Sequence, residues 1–179
     1  MLKKAGVLSA LCSLAVVTGI SANWLTGNET VLAVSQGEAA FQTSLSSDQK
    51  LAMNLTASDT ATADLVFSTK ASSSVLTLSS LPVQVSTDGN QDAKVTVTQL
   101  VNDSNGLRFY IIDTGNAESA SIVSYKRGNF ATAFSAASLN TSGSASFEVN
   151  KKEILLYAGD ATYGLTLNAK DGTFTAVKK

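Results

Sequence analysis

The run Asp88-Gly89-Asn90-Gln91-Asp92 puts side-chain oxygens at alternate positions, as the opening half of a calcium-binding loop does. It then departs from that pattern, with Ala93 where such a loop needs its glycine and Gln99 where it needs a bidentate glutamate. The run therefore reads as a polar hairpin turn. Ser47-Asp48-Gln49-Lys50 has the S-x-x-K spacing of an acylated serine and its lysine, but no S-D-N or K-T-G sequence follows it. The chain contains no histidine. That removes imidazole bases, histidine metal ligands and Ser/His/Asp or Cys/His nucleophilic sites at one stroke. Carboxylate pairs can hydrolyse glycosides without histidine, yet the acidic residues are scattered over turn-like sequence. No catalytic, cofactor or metal residue is assigned, and an enzyme is not expected.

The remaining polar features have plain readings. Tyr110, Tyr125, Tyr157 and Tyr163 are expected to line strands at the core boundary rather than to form a sugar platform. The pairs Lys126-Arg127, Lys151-Lys152 and Lys178-Lys179 serve solubility and edge protection. No spacing singles out a Lys-to-Asn or Lys-to-Asp isopeptide bond. The N-x-[ST] acceptor pattern makes Asn28, Asn54, Asn102 and Asn140 candidate N-glycosylation sites, although a chain rich in Ser, Thr and Asn produces some such matches by chance.

The compartment follows from the first segment. Lys3 and Lys4 precede an apolar stretch from Ala5 to about Ile20 and the small residues Ser21 and Ala22, the order of a secretory signal peptide cleaved after Ala22. The stretch is shorter and richer in Gly, Ser and Thr than a membrane span of about 20 apolar residues, so no stable span is expected after cleavage. Ser9-Ala10-Leu11-Cys12 departs from a lipoprotein box in having Leu11 before the cysteine. Removing residues 1–22 takes away two lysines and the sole cysteine, leaving eleven basic against fourteen acidic residues, a net charge of −3. Such a balance argues against a nucleic-acid partner, which needs a basic surface to neutralise phosphates. Disulfides and soft metal sites leave with the cysteine. The protein is expected to be secreted, extracellular or at the cell surface.

The elements that must position these residues are strands. Apolar residues alternate at Leu51, Met53 and Leu55, at Leu65 and Phe67, at Leu76 and Leu78, at Val83 and Val85, at Val95 and Val97, and at Leu107, Phe109 and Ile111. Further strands are expected at 39–45, 121–125, 130–134, 144–149, 154–157 and 163–167, with Ala131 to Leu139 as strand or one short helical turn. Asp171-Gly172 turns a last hairpin between 163–168 and 173–177. About a quarter of the residues after 22 are Ser or Thr, well above an ordinary globular domain, and threonine suits exposed strand faces. The expected fold is all-β, an antiparallel β-sandwich of Greek-key or jelly-roll type. The expected organisation is a signal peptide at 1–22, an extension at 23–36 and a sandwich domain at 37–179.

The extension holds the sole tryptophan, Trp24, then a polar break at Thr26 to Glu29, then Thr30-Val31-Leu32-Ala33-Val34. This last piece is apolar on both faces, the pattern of a strand covered on both sides. It is either the first strand of the domain's own sandwich or a donor strand that completes the sheet of the next subunit. Donor and acceptor patches differ, so donation propagates into a filament. The exported start, the apolar strand near the mature N-terminus and a Ser/Thr-rich β-body without Cys or His resemble secreted filament subunits assembled by donor-strand exchange, including TasA-like matrix fibres and archaeal bundling pili and threads. The segment Gln36 to Leu45 is loosely similar to the early part of TasA-like proteins. The resemblance implies extracellular fibres, self-association into a homopolymer, cohesion between cells and no catalysis. The alternative is a monomeric adhesin or carbohydrate-binding sandwich that contacts glycans or a cell surface through the turns at Asp88 to Asp92 and Asn102 to Gly106.

Overall fold

The computed structural model of the chain describes residues 24–34, 40–56, 62–70, 74–83, 93–102 and 106–179. The expected signal peptide, its cleavage site, the turn at Asp88 to Asp92 and the segment 35–39 lie outside the described residues. Within them the protein is all-β, built of antiparallel sheets. No described helix is long and apolar enough to cross a membrane.

A five-stranded sheet forms the middle layer. It contains β1 (Trp24–Val34), β6 (Ala93–Asn102), β7 (Arg108–Asp113), β8 (Ser121–Lys126) and β9 (Asn129–Ser135), hydrogen-bonded in that order. A four-stranded sheet of β2 (Ala40–Ser44), β3 (Gln49–Thr56), β4 (Thr62–Thr69) and β5 (Val75–Pro82) covers one face. Another, of β10 (Ala145–Val149), β11 (Ile154–Ala158), β12 (Ala161–Asn168) and β13 (Thr173–Lys178), covers the other. Within each sheet the strands pair in chain order, except that β1 is rejoined by β6 after the whole β2–β5 sheet has intervened. The segment Ala131 to Leu139 divides into the end of β9 and one 3-10 turn at Ala136–Leu139.

The middle sheet feeds two cores, which explains its sequence. In β7, Phe109 and Ile111 enter the core shared with β10–β13, beside Ile154, Leu156, Leu165 and Phe174. Their neighbours Tyr110 and Ile112 enter the core shared with β2–β5, beside Leu51, Met53, Leu65 and Phe67. A strand buried on both faces reads as a continuous apolar run, as Phe109 to Ile112 does. The outer sheets bury one face, so β4 alternates buried and half-buried residues. Hairpin chemistry closes the ladders. Arg127 (φ 53°) and Gly128 (φ 83°) form the two-residue turn between paired Lys126 and Asn129, the double left-handed geometry that matches strand twist. The expected Asp171-Gly172 turn stands between paired Asn168 and Thr173.

Three strands at sheet edges each carry one extra residue; in β1 and β9 it changes which core the strand serves, and in β5 it restores the strand to its one core. In β1, Thr26 opposes Leu100 and Glu29 opposes Thr98, so Gly27 and Asn28 together face Gln99. Trp24 and Leu32 are eight residues apart, and an unbroken strand would point both to one face. The bulge sends Trp24 into the β10–β13 core and Leu32 into the β2–β5 core. In β9, the shift at Ile122/Val123 likewise sends Phe130 and Phe134 to opposite cores. In β5 the shift returns Leu81 to the same core as Leu76 and Leu78. There Ser80 adopts φ 55°, and its N–H donates to Asp64 Oδ1 at 2.7 Å. Gly27 fits the first bulge because a Cβ would stand 3.1 Å from Gln99 Oε1 and 3.3 Å from its Cβ.

Deleting Gly27 should remove the β1 bulge and turn Leu32 away from its core. The expected loss is about 2–5 kcal/mol, the range for emptying a buried leucine site, read as a lowered urea midpoint. A midpoint equal to the wild type would contradict the phase-switching role.

Candidate functional site

The assembly strand expected at Thr30, Val31, Leu32, Ala33 and Val34 is the second half of β1. Its Cα partners are Val97, Thr96, Val95, Lys94 and Ala93 of the same chain. Leu32 is fully buried, but Val31 is 43% exposed and Leu25 50% exposed. The expectation of cover on both faces thus holds at Leu32 and differs at Val31. β1 is an edge strand, and no strand among the described residues pairs with its outer side.

Its first half is the stronger anchor. Trp24 is 4% exposed, with its ring centroid 5.8 Å from Phe109 in an edge contact and 5.7 Å from Phe174. Its N–H donates to the Lys151 carbonyl at 3.1 Å, tying β1 to the β10–β11 turn. Burying a side chain of the Leu32 kind contributes about 2–3 kcal/mol, and an indole stacked against aromatic rings adds edge-contact energy. One edge strand therefore holds both cores closed. Period counting on Thr30 to Val34 misses Trp24 because the bulge breaks the alternation between the two halves.

Three of the four glycosylation candidates stand where a glycan has room. Asn28 lies in the β1 bulge, Asn54 on β3 and Asn140 after the 3-10 turn, all exposed. Asn102 differs in being buried: it is 2% exposed, its N–H donates to Leu107 O, and its carbonyl accepts from Gly106 N.

A polar group gathers where the β2–β3 turn meets β7 and β8. Ser46 Oγ donates to Asp48 Oδ1 at 2.7 Å, and Tyr125 OH donates to Asp48 Oδ2 at 3.4 Å. The Ser46 hydrogen bond leads in holding the Asp48 carboxyl below its ordinary value, with Tyr125 and Arg108 acting the same way. Beneath it, Tyr110 OH donates to Gln49 Oε1, both residues being almost fully buried. Gln49 Nε2 has no hydrogen-bond partner among the described residues. The chemistry of this group is hydrogen bonding and charge, with a carboxylate already engaged by two hydroxyls. Ser47 is exposed and Lys50 half-buried on β3. All other described lysines are exposed, so none occupies the buried position an internal isopeptide bond requires. No group of three metal-ligating side chains occurs among the described residues. The Gln49–Tyr110 pair spans 61 residues of chain and has no local signal, because a glutamine in a Ser/Asp/Lys run reads as surface.

Burial raises the Tyr110 hydroxyl from its ordinary 10 to about 12. The folded chain therefore keeps this proton where an unfolded chain would lose it, and the associated stability is complete below pH 10 and lost as pH rises to about 12. Tyr110→Phe should cost about 1–3 kcal/mol at neutral pH by leaving Gln49 without its donor. It should also flatten the alkaline fall of the urea midpoint. A variant falling as steeply as the wild type over that range would refute the assignment.

Compared with protein-family models, with curated proteins and with solved structures, the chain matches none of them.

Proposed function

We propose that the chain is a structural subunit of an extracellular filament or cell-surface matrix: a β-sandwich body, exported by the segment 1–22, that polymerises by donating β1 to the next copy. The observation that carries this reading is the isolation of β1 in the topology. Among the described strands it is the one whose sheet partner is far away in chain order, and five residues, 35–39, separate it from β2. A second copy offering the same Trp24 and Leu32 to the same β6 edge would satisfy the same two cores. Exchange of an identical element costs little for that reason. The return of β1 to β6 is also the feature that favours a Greek-key or jelly-roll description over three independent meanders. A chain without histidine, whose sole cysteine is Cys12, draws on backbone pairing and apolar burial rather than side-chain chemistry.

The alternative, a monomeric adhesin or carbohydrate-binding module, has the Ser46–Asp48–Tyr125 group in its favour, since a carboxylate beside an aromatic ring can address sugar hydroxyls. It predicts glycan binding by a protein that stays monomeric.

A cross-link decides between donated and internal pairing. Val31 and Thr96 are cross-strand Cα partners. In a Cys12→Ser background, Val31→Cys with Thr96→Cys should yield a ladder of disulfide-linked oligomers on a non-reducing gel. Monomers alone, with the disulfide formed, would overturn strand donation.

A further inference from the structure

Exposed cations from all three sheets stand at one end of the strand stack. On the middle sheet Arg108 opens β7 opposite Tyr125, and Lys126 and Arg127 lead the turn into β9. Lys151 O accepts the Trp24 N–H, and Trp24 pairs with Asn102 one step beyond the Val101–Arg108 pair, which puts the exposed Lys151 and Lys152 at the same end. Lys70, also exposed, donates its N–H to Asp48 O, and Asp48 accepts from Tyr125, so the β2–β5 sheet contributes here too. The described acids toward this end are engaged. Asp48 accepts from Ser46 and Tyr125, Glu148 from Tyr157 and Asp171 from Thr173, while Glu153 forms a salt bridge with Lys179. Asp103, between β6 and β7 in the chain, lies outside the described residues.

The spacing of these cations follows the sheet. Neighbouring strands are about 4.8 Å apart, so Lys151 at the start of β1, Arg108 on β7 and Lys126 on β8 mark a row about 14 Å long, in steps of about 10 Å and 5 Å. Lys70 flanks the row on the side of the β2–β5 sheet, and Lys152 on the side of the β10–β13 sheet. Duplex DNA carries one negative charge per about 1.7 Å of axis, far denser than this row. A chain whose charges stand one or two sugar units apart matches it better. Beside the row, Ser46, Asp48 and Tyr125 are half-buried and reach solvent. A carboxylate offers about four acceptor sites, and two side-chain hydroxyls occupy Asp48, so it retains capacity for the hydroxyls of a sugar. The same negative charge disfavours a dense run of phosphates.

We propose that this end of the molecule is a docking surface for a linear acidic polysaccharide, whose carboxylates meet the row of cations and whose hydroxyls meet Asp48 and Ser46. Charge complementarity supplies the attraction. The spacing of the row and the carboxylate beside it supply the choice among polyanions. Each exposed ion pair is weak alone, but several on one polymer act together, because the first contact raises the effective concentration of the next. The surface is complete on a single copy and does not depend on strand donation, since β1 contributes only the backbone N–H that locates Lys151. The separation of Lys126-Arg127 from Lys151-Lys152 along the chain hides it from the sequence.

The test is binding of the full chain to immobilised polygalacturonate, with dextran as the neutral comparison and heparin, duplex DNA and anionic phospholipid vesicles as competing polyanions. The wild type should bind polygalacturonate and not dextran, and should release at 1 M salt, where the Debye length is about 3 Å. Lys126→Gln with Lys151→Gln should weaken binding about tenfold, the worth of two exposed ion pairs, at an unchanged thermal midpoint. Lys94→Gln with Lys178→Gln removes the same charge from exposed positions at the other ends of β6 and β13, and should leave binding as it was. Asp48→Asn should narrow the preference for polygalacturonate over heparin. Equal weakening by the two double variants would reduce the effect to net charge and overturn the surface. So would a wild type that ignores polygalacturonate at low salt, or one that binds DNA or the vesicles more tightly, which would assign the cations to a phosphate partner. An unchanged preference in Asp48→Asn would overturn the role of Asp48.

Discussion

A sheet covered on both faces has to supply two cores from one set of strands, and the whole architecture rests on how the middle sheet does this. In its interior, β7 and β8 simply send successive residues to opposite sides. At its margins the two cores are offset, and a strand must change phase partway along. The bulges in β1 and β9 do this with one extra residue each. Both margins of the sheet thereby gain a kink, and a kinked, twisted margin is a poor template for indiscriminate edge pairing. The same local feature closes the cores and restricts what can add to the sheet.

That constraint gives β1 its dual character. It contributes a tryptophan to one core and a leucine to the other, so the body is incomplete without it. Its covalent tie to the rest of the chain is nevertheless one short segment between Val34 and Ala40. A strand that is energetically central and topologically peripheral is well suited to exchange, because an identical strand from a neighbour restores every contact. The bulge also makes the fit selective, since a straight strand would present its two anchors on one face.

The polar residues follow a complementary logic. The hydroxyl-rich surface sits on outward strand positions, while among the buried polar groups Tyr110 is tied to Gln49 and Thr114 to Ser119. Charge is excluded from the cores and collected at strand ends. Since every strand runs from one pole to the other, turn residues from three separate sheets converge at each end. A distribution that is mixed along the chain becomes polarised in space.

The strand positions, the all-β class, the Asp171-Gly172 hairpin and the inward face of most strands were legible in the sequence, because period-two alternation and turn residues act over a few neighbours. The double apolar face of Thr30 to Val34 was legible as well, but not its meaning: only packing leaves Val31 open while burying Leu32. The division into three layers, the partnership of β1 with β6, and the phase changes at Gly27, Ser80 and Ala133 came from tertiary structure. So did the burial of Asn102, which the acceptor motif cannot express, and the Gln49–Tyr110 pair. Each of these depends on residues tens of positions apart meeting in one register. Local sequence determined which residues form strands and which faces are greasy; the competition of two cores for the same sheet decided where each strand had to turn over.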